Sequence, residues 1–249
     1  MSFPTDVGIS FRRETAPLLR NWYYVLFGLM QPLLYLGLFV PLLPETNGEH
    51  GALQWFVPGM LVMLTLFTTA TCGWALTEEL ASGSFERLLA TPLSRPAIIV
   101  GRALKELFPL LVQGVVIVVL GIPFGLTLYP LAMLLGFALV LAFGVGVAAL
   151  SYALAIASKR DGSLFYMVTH SITLPLMLLG GVLLPMEMAP RWLYVASRAN
   201  PLTYLVEAER ALFAGQLTSL SVIYGALVAG GVGLFGLWVG ARTITRATV

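Results

Sequence analysis

The residues of this sequence that could do chemistry are few, and most are charged side chains gathered in residues 77–106. Glu78 and Glu79 stand near the beginning of this stretch, and Arg102 and Lys105 stand near its end. Carboxylates and cations spaced in this way form ion pairs, which hold structure together without making or breaking covalent bonds. The stretch therefore predicts a network of these four charges that ties its two ends to the flanking helices.

Other kinds of chemistry have little support in the residues present. Neither of the two lysines, Lys105 and Lys159, follows a glycine, so the Gly-x-x-x-x-Gly-Lys-Ser/Thr loop that cradles phosphates is missing. Only two histidines occur, His50 and His170, and neither belongs to a His-Glu-x-x-His pattern. We therefore expect no catalytic residue, no metal site and no enzymatic activity on this chain.

An ion-coupled transporter using His170 is the alternative that the sequence leaves open. Coupling to protons or sodium requires a group near mid-membrane whose charge changes. Asp, Glu, Lys and Arg are absent from the central parts of the apolar segments, and His170 comes closest to filling that role. A neutral histidine that lines the core or a cavity explains the same observation.

The composition places the chain in a bilayer. Of its 249 residues 58% are hydrophobic and 10% are charged, and the mean hydropathy is +0.89, whereas soluble domains carry about a quarter charged residues. Fourteen basic residues against twelve acidic ones give a net charge of +2, which is too balanced to predict nucleic-acid binding. The length leaves room for one membrane domain, so any ATPase must be a separate chain.

Six apolar segments are long enough to span a membrane, and these predict an all-α integral membrane protein with six transmembrane helices. The predicted spans are Trp22 to Leu43, Trp55 to Leu76, Phe108 to Leu126, Leu131 to Ala157, Leu164 to Leu184 and Val222 to Ala241. Residues 1–21 predict an N-terminal interfacial, or elbow, helix, and residues 22–246 form the transmembrane domain. Small-residue stripes, such as Gly236 and Gly240, predict close helix packing within the chain or at a dimer seam.

The basic residues set the orientation. With six spans, both termini and the loop that contains residues 77–106 fall on one side, which holds eleven of the 14 basic residues. Cytoplasmic loops carry such an excess of lysine and arginine. We therefore expect both termini in the cytoplasm.

Two non-spanning stretches have helical patterns. Within residues 83–95, Phe85, Leu88 and Leu89 share one face of a short helix that Thr91 and Pro92 end, which favours a docking element at the membrane surface. Residues 185–216 divide at Asn200 into two amphipathic pieces, each about half a membrane thick. They predict paired re-entrant helices on the external side, between the fifth and sixth spans.

The order of these elements resembles the permeases of the type-2 ABC exporters over essentially the whole chain. Two local patterns carry the resemblance. The first is Glu78-Glu79, then Gly83-Ser84-Phe85-Glu86-Arg87-Leu88-Leu89 and Thr91-Pro92-Leu93-Ser94-Arg95; the second is Trp192-Leu193, then Asn200-Pro201-Leu202-Thr203-Tyr204 and Glu207. The first pattern departs from the family at Ser84, where threonine is usual.

The resemblance implies a non-catalytic permease that exports its substrate. Two copies are expected to form a homodimer, or one copy to pair with a similar chain, in a bacterial or archaeal inner or plasma membrane. Two ATP-binding subunits carrying ATP and magnesium are expected to dock beneath it. The implied coupling helix and ATPase interface are Gly83, Ser84, Phe85, Glu86, Arg87, Leu88, Leu89 and Pro92, and the implied external gate is Trp192, Asn200, Pro201 and Glu207.

The substrate path is expected along the second and fifth spans. Phe67, Thr68, Met167 and His170 offer aromatic faces, hydroxyls and a flexible thioether, which suit an amphipathic or largely apolar cargo. The resemblance implies that these two spans line the central cavity. A drug or antibiotic, a lipid or a glycolipid would fit, and the sequence leaves the choice among them open.

Overall fold

The computed structural model describes residues 3–20, 23–39, 51–159, 161–182 and 186–246, and this part of the chain contains helices and no strands. The α-helices are α1 (Phe3–Arg20), α2 (Tyr23–Phe39), α3 (Ala52–Thr71), α4 (Gly73–Ala81), α5 (Ser84–Leu89), α6 (Arg95–Lys105), α7 (Leu107–Gly121), α8 (Pro130–Ala157), α9 (Gly162–Leu179), α10 (Arg191–Arg198), α11 (Pro201–Phe213) and α12 (Leu220–Arg246). The all-helical fold class is confirmed.

Five helical segments within the described ranges are long and apolar enough to cross a membrane. They are Leu53–Ala81, Arg95–Phe124, Pro130–Ala157, Gly162–Leu179 and Leu220–Arg246. The first predicted span, Trp22 to Leu43, contains the apolar helix α2, but both of its ends fall outside the described residues. The described residues therefore contain five candidate spans, whereas the sequence predicts six.

The helical segment that contains the third predicted span begins before that span. The predicted start is Phe108, whereas the helical segment runs from Arg95 to Phe124, with α6 leading into α7. Because α6 carries Arg102 and Lys105, the start of the apolar part stays a prediction. Both cations are accommodated because they form ion pairs with carboxylates of the same chain.

The core of the bundle is built on close contact between α8 and α12. A Cβ atom added at Gly236 would collide with the carbonyl oxygen of Gly146, and one added at Gly240 would lie 3.1 Å from the carbonyl oxygen of Ala149. Backbones approach this closely only where side chains are absent. Of the two roles predicted for the α12 stripe, packing within the chain is therefore the one observed at these positions.

Helices α10 and α11 confirm the two predicted pieces between the fifth and sixth spans. Asn200 caps α11, since its side-chain oxygen accepts a hydrogen bond from the backbone N–H of Leu202 at 3.0 Å. Leu205, Leu212 and Phe213 of α11 are fully buried against neighbouring helices. Burial on this scale satisfies the requirement for a re-entrant helix, although its depth in the membrane stays a prediction.

Helix α1 lies along α6 and packs small polar and acidic residues against it. Asp6 and Ser10 are buried, whereas Phe3 and Leu19 are exposed together with Arg12. An outer face that combines apolar and basic residues is typical of a helix at a membrane surface. The predicted elbow helix is therefore present as a helix, and its place at the membrane interface remains a prediction.

Candidate coupling interface

The predicted coupling segment forms a short helix, α5, that is set at an angle to α4. Gly83 precedes α5 with φ +70°, a left-handed conformation that glycine adopts at little cost. Phe85 and Leu88 are buried in the core, while Arg87 and Pro92 are exposed. The segment thus has the anchored side and the exposed side that a docking element needs.

Arg102 of α6 is the centre of the charge network. Its side chain is 2% exposed, and its Nη2 atom lies 3.1 Å from Glu14 Oε1 and 2.5 Å from Glu79 Oε2. The guanidinium carbon also lies 5.6 Å from the centre of the Phe85 ring. One buried cation therefore contacts α1, α4 and α5 from its place on α6.

Lys105 and Glu106 extend this network toward the core. Lys105 Nζ lies 3.5 Å from Glu14 Oε2 and 3.8 Å from Glu106 Oε1. The hydroxyl of Tyr152, on α8, donates a hydrogen bond of 2.7 Å to the same Glu106 oxygen. Burial of a charged group costs free energy, and pairing of this kind offsets that cost.

The polar side of α1 completes the interface. Asp6 Oδ2 accepts a hydrogen bond of 3.1 Å from the backbone N–H of Ser94, and the Ser10 hydroxyl donates one of 3.2 Å to the carbonyl of Ile98. A Cβ atom at Gly101 would lie 2.6 Å from the Ser10 side chain. Gly101 therefore allows α1 to lie directly on α6.

The structure brings together three members of the predicted charge network and leaves out the fourth. Glu79, Arg102 and Lys105 lie together, but Glu78 is exposed and accepts a hydrogen bond of 3.1 Å from Trp74 Nε1 instead. Adjacent residues on a helix point about 100° apart, so only one of the two glutamates can face α6. Glu14, which the sequence reasoning missed, occupies the remaining place.

The four residues predicted for the substrate path do not form a single cluster. Phe67 packs against the core beside α9 and Thr68 is half-buried, whereas 66% of Met167 is exposed. His170 stacks on Tyr166 with ring centres 3.9 Å apart, and its Nδ1 atom lies 3.1 Å from the Tyr166 carbonyl oxygen. Their common role as a substrate path remains a prediction.

The predicted external-gate residues occupy different environments. Asn200 is buried and donates a hydrogen bond of 2.6 Å to the carbonyl of Leu176, which fixes α11 to the end of α9. Pro201 forms the first turn of α11. Glu207 pairs with Arg198 at 3.0 Å, and Trp192 is 71% exposed. None of these contacts tests gating, which also stays a prediction.

Two charged residues near this external segment were missed. Arg210 Nη2 donates hydrogen bonds to the carbonyls of Gly181 (2.8 Å) and Val182 (3.2 Å), and its guanidinium carbon lies 3.8 Å from the centre of the Trp55 ring. Glu209 is fully buried, and neither of its carboxylate oxygens has a hydrogen-bond partner among the described residues. Glu209 and Arg210 follow Glu207 closely in the sequence. The sequence pattern alone could not show which way these side chains point.

Among the described residues, no three His, Cys, Asp or Glu side chains are grouped closely enough to hold a metal ion. The expectation that ATP and magnesium belong to a partner subunit stays a prediction.

Comparisons with known proteins identify the family of the chain. A family model described as ABC-2 type transporter matches residues 5–214. The chain is 28% identical over 218 residues to the putative transport permease ycf38 of Cyanophora paradoxa, and the matched region covers 85% of this chain and 75% of that protein. It is 25% identical over 193 residues to the daunorubicin resistance ABC transporter permease protein DrrB1 of Streptomyces coeruleorubidus, covering 75% and 67%. It is 23% identical over 183 residues to the probable multidrug ABC transporter permease YbhR of Escherichia coli strain K12, covering 70% and 47%.

Proposed function

This chain belongs to the ABC-2 type transporter family, and we propose from that premise that it is the membrane-spanning subunit of an ATP-driven exporter. It works with a separate ABC ATPase, two copies of which bind ATP and magnesium beneath a permease dimer. Multiple apolar helices support a multi-pass membrane location. Relatives from Streptomyces and Escherichia support the plasma or inner membrane of a bacterium as that location.

One observation carries the proposal: Arg102 joins α5 to three other helices. Its guanidinium contacts Phe85 of α5, Glu79 of α4 and Glu14 of α1. Because such a cluster is packed and paired, its helices move together and do not deform independently. A push on the exposed side of α5 is therefore passed to α4 and α6, which continue into the second and third spans.

The ATPase docks at this end of the bundle. Exposed Arg87, Pro92 and Arg95 lie beside the anchored face of α5. The excess of basic residues in the loops at this end supports a cytoplasmic orientation, where ATP is available. A second copy of the permease completes the complex, and we propose a homodimer.

The substrate is an amphipathic or apolar molecule that leaves the cytoplasm or the inner leaflet. Its class is supported by an apolar cavity of about 430 Å³ between α3, α8, α9 and α12, whose lining includes Leu66, Phe143 and Ile172. Cavities with such linings take hydrocarbon groups, and a few polar groups orient the ligand. Phe67, Thr68, Met167 and His170 remain the proposed path, and Trp192, Asn200, Pro201 and Glu207 the proposed gate.

The proposal is tested by placing a charge on the exposed side of α5. The permease is co-purified with its ATPase, and ATP hydrolysis is measured in proteoliposomes. Arg87→Glu is expected to lower ATPase co-purification and permease-dependent ATP hydrolysis at least about tenfold, because like or unpaired charges at an interface cost several kcal/mol. Arg191→Glu is the matched control, since Arg191 is exposed at the start of α10.

The expected result is loss with Arg87→Glu and wild-type behaviour with Arg191→Glu. Failure of the wild-type permease to capture or stimulate any ABC ATPase encoded in the same genome would overturn the proposed function. Equal behaviour of the two variants would remove α5 as the docking element.

A further inference from the structure

The second predicted span is interrupted at Cys72, because α3 ends at Thr71 and α4 begins at Gly73. We call this interruption the break. Both of its sides belong to one helical segment, Leu53–Ala81, that is long and apolar enough to cross a membrane. Interruptions in long helices have identifiable causes, and one of them is a side chain that enters the hydrogen-bond ladder of the helix.

The side chain of Ser151, on α8, bonds to both sides of the break. Its hydroxyl donates a hydrogen bond of 2.6 Å to the carbonyl of Ala70 and accepts one of 3.0 Å from the backbone N–H of Gly73. The hydroxyls of Thr69 and Ser158 bond instead to the carbonyl four residues earlier in their own helix. One hydroxyl group of α8 therefore links the last turn of α3 to the first residue of α4.

Gly73 allows α4 to begin directly on α8. A Cβ atom at Gly73 would lie 2.5 Å from the carbonyl oxygen of Ser151 and 2.8 Å from its hydroxyl oxygen. Any larger residue at this position would push α4 away from α8. Helix α8 is itself held against α12 through Gly146 and Gly236, so the core fixes the position of Ser151.

The two sides of the break face different parts of the protein. On the α4 side, Glu79 pairs with Arg102 in the candidate coupling interface. On the α3 side, Leu66 and Ala70 line the apolar cavity of about 430 Å³, and Ser151 belongs to the same lining. Ser151 therefore lies where the part of the span that reaches the coupling interface meets the part that forms the cavity wall.

The residue that follows Ser151 connects α8 to the charge network. The buried hydroxyl of Tyr152 donates a hydrogen bond of 2.7 Å to Glu106, whose carboxylate lies 3.8 Å from Lys105 Nζ. Helix α8 thus contacts the break with one residue and the charge network with the next. A movement of α4 relative to α8 turns about the contact that Ser151 makes.

We propose that Ser151 is a positioning residue for export, which links α3 to α4 across the break so that the cavity wall follows movements of the coupling interface. The inference rests on the proposed function, because an ATPase bound at α5 supplies the movement of α4. Hinges are a few residues at the ends of elements. With both hydrogen bonds made, α3 and α4 turn together about Ser151, and Leu66 moves with them. Without the hydroxyl, α4 moves alone.

The first measurement uses the purified permease in nanodiscs without ATPase. Cys72 is the reporter, because it is half-buried in the break and its Sγ atom lies 3.8 Å from the carbonyl oxygen of Ala148 on α8. Ser151→Ala is expected to raise the rate of Cys72 labelling by N-ethylmaleimide at least about threefold, because local opening of the break becomes more frequent. Ser158→Ala is the matched control, since Ser158 is also 5% exposed but bonds within α8. It is expected to label at the wild-type rate.

The second measurement adds the ATPase, which is trapped with ADP and vanadate. Leu66→Cys reports on the cavity wall, and Ala81→Cys reports on the exposed end of α4. Each is placed singly in a Cys72→Ala background. With Ser151 present, trapping is expected to change both labelling rates at least about threefold, as a shift between two arrangements of the span requires. With Ser151→Ala, only Ala81→Cys is expected to respond. General loss of structure would alter both responses, so this difference identifies the link.

Unchanged Cys72 labelling in Ser151→Ala, or a Leu66→Cys response that survives Ser151→Ala, would overturn the role of Ser151. The first measurement contains no ATPase, so its result is independent of the proposed function. With Ser151 present, no response to trapping at Ala81→Cys would contradict the exporter. A response at Ala81→Cys without one at Leu66→Cys would contradict only the link between α3 and α4.

Discussion

The guanidinium carbon of Arg102 lies 5.6 Å from the centre of the Phe85 ring, and the same buried group pairs with Glu14 and Glu79. A cation in this position holds the short helix α5 to the elbow helix and to the second span. The ring face stabilises the cation on one side, while the carboxylates neutralise it on the other. The proposed coupling helix α5 is therefore anchored in the core through Phe85 and Leu88.

Removing the charge of Arg102 is expected to destabilise the protein strongly. Arg102→Met leaves Glu79 without its cation and Glu14 with Lys105 alone, and breaking a buried pair costs about 3–5 kcal/mol. Adding Glu14→Gln and Glu79→Gln to Arg102→Met is expected to restore much of that loss, because no buried charge then lacks a partner. The stabilities of Arg102→Met and of the triple variant are measured by thermal unfolding in nanodiscs. A triple variant no more stable than Arg102→Met would contradict the ion-pair network.

Phe85 distinguishes anchoring from docking. Phe85→Ala and Glu86→Arg are both predicted to uncouple transport while leaving membrane insertion intact. Since Phe85 is 1% exposed, its truncation acts by loosening α5 from the core, at a cost of about 3–5 kcal/mol. Phe85→Leu keeps most of the apolar contact and is expected to retain most ATPase stimulation. If Phe85→Leu were as impaired as Phe85→Ala, with equal protein in the membrane, the ring would have a more specific role.

The buried carboxyl group of Glu209 is expected to lower the stability of the protein toward unfolding. Both of its oxygens are buried without a hydrogen-bond partner among the described residues, and a Cβ atom at Gly136 would lie 2.6 Å from Oε2. Replacing such a group with an apolar residue of similar length removes a desolvation cost, so Glu209→Met is expected to raise the unfolding temperature by several degrees. Gly136→Ala is expected to lower it, and to lower it less in a Glu209→Ala background. An unfolding temperature that falls with Glu209→Met would show that the carboxylate has an important partner.

The sequence predicted the helices well because their signals are local. Apolar runs and the break at Asn200 each act within a few residues, and the structure contains helices where they predict them. The charge network was only partly predicted, since the choice between Glu78 and Glu79 depends on helix rotation. Glu14 could not be assigned because its partners lie on other helices.

The contact between α1 and α6 shows the same limit. The apolar residues of α1 suggested an amphipathic helix at the interface, but hydropathy cannot reveal that Asp6 and Ser10 are among the residues that pack against the protein. Asp6 and Ser10 meet backbone groups of α6, and such contacts leave no pattern in either segment.

The planar guanidinium group of Arg210 makes contacts that a lysine side chain cannot make. It donates to the carbonyls of Gly181 and Trp55 and covers the Trp55 ring, a geometry that an ammonium group cannot reproduce. Arg210→Lys is expected to lower the free energy of unfolding by about 2 kcal/mol. Arg198→Lys is the matched control, because the half-exposed Arg198–Glu207 pair is worth about 1 kcal/mol or less. Equal losses of unfolding free energy in Arg210→Lys and Arg198→Lys would contradict a specific role for the Arg210 guanidinium.

The orientation of the chain in the membrane is measured by cysteine labelling. Single cysteines are placed in a Cys72→Ser background, and an impermeant thiol reagent is added to intact cells. At the sequence level, cysteines at Asn47 and Gln216 are predicted to label from outside and one at Ser158 is not. Asn47 lies outside the described residues, and Ser158 is buried, so a lack of labelling at Ser158 would not identify its side.

Lys159 gives the sharper measurement because it is exposed and follows Ser158 directly. Gln216→Cys, also exposed, is expected to label in intact cells, whereas Lys159→Cys is expected to label only after the membrane is permeabilised. The physical reason is the excess of basic residues at the Lys159 end, which retains those loops in the cytoplasm. Labelling of Lys159→Cys in intact cells would reverse the orientation and place α5 where no ATPase could reach it.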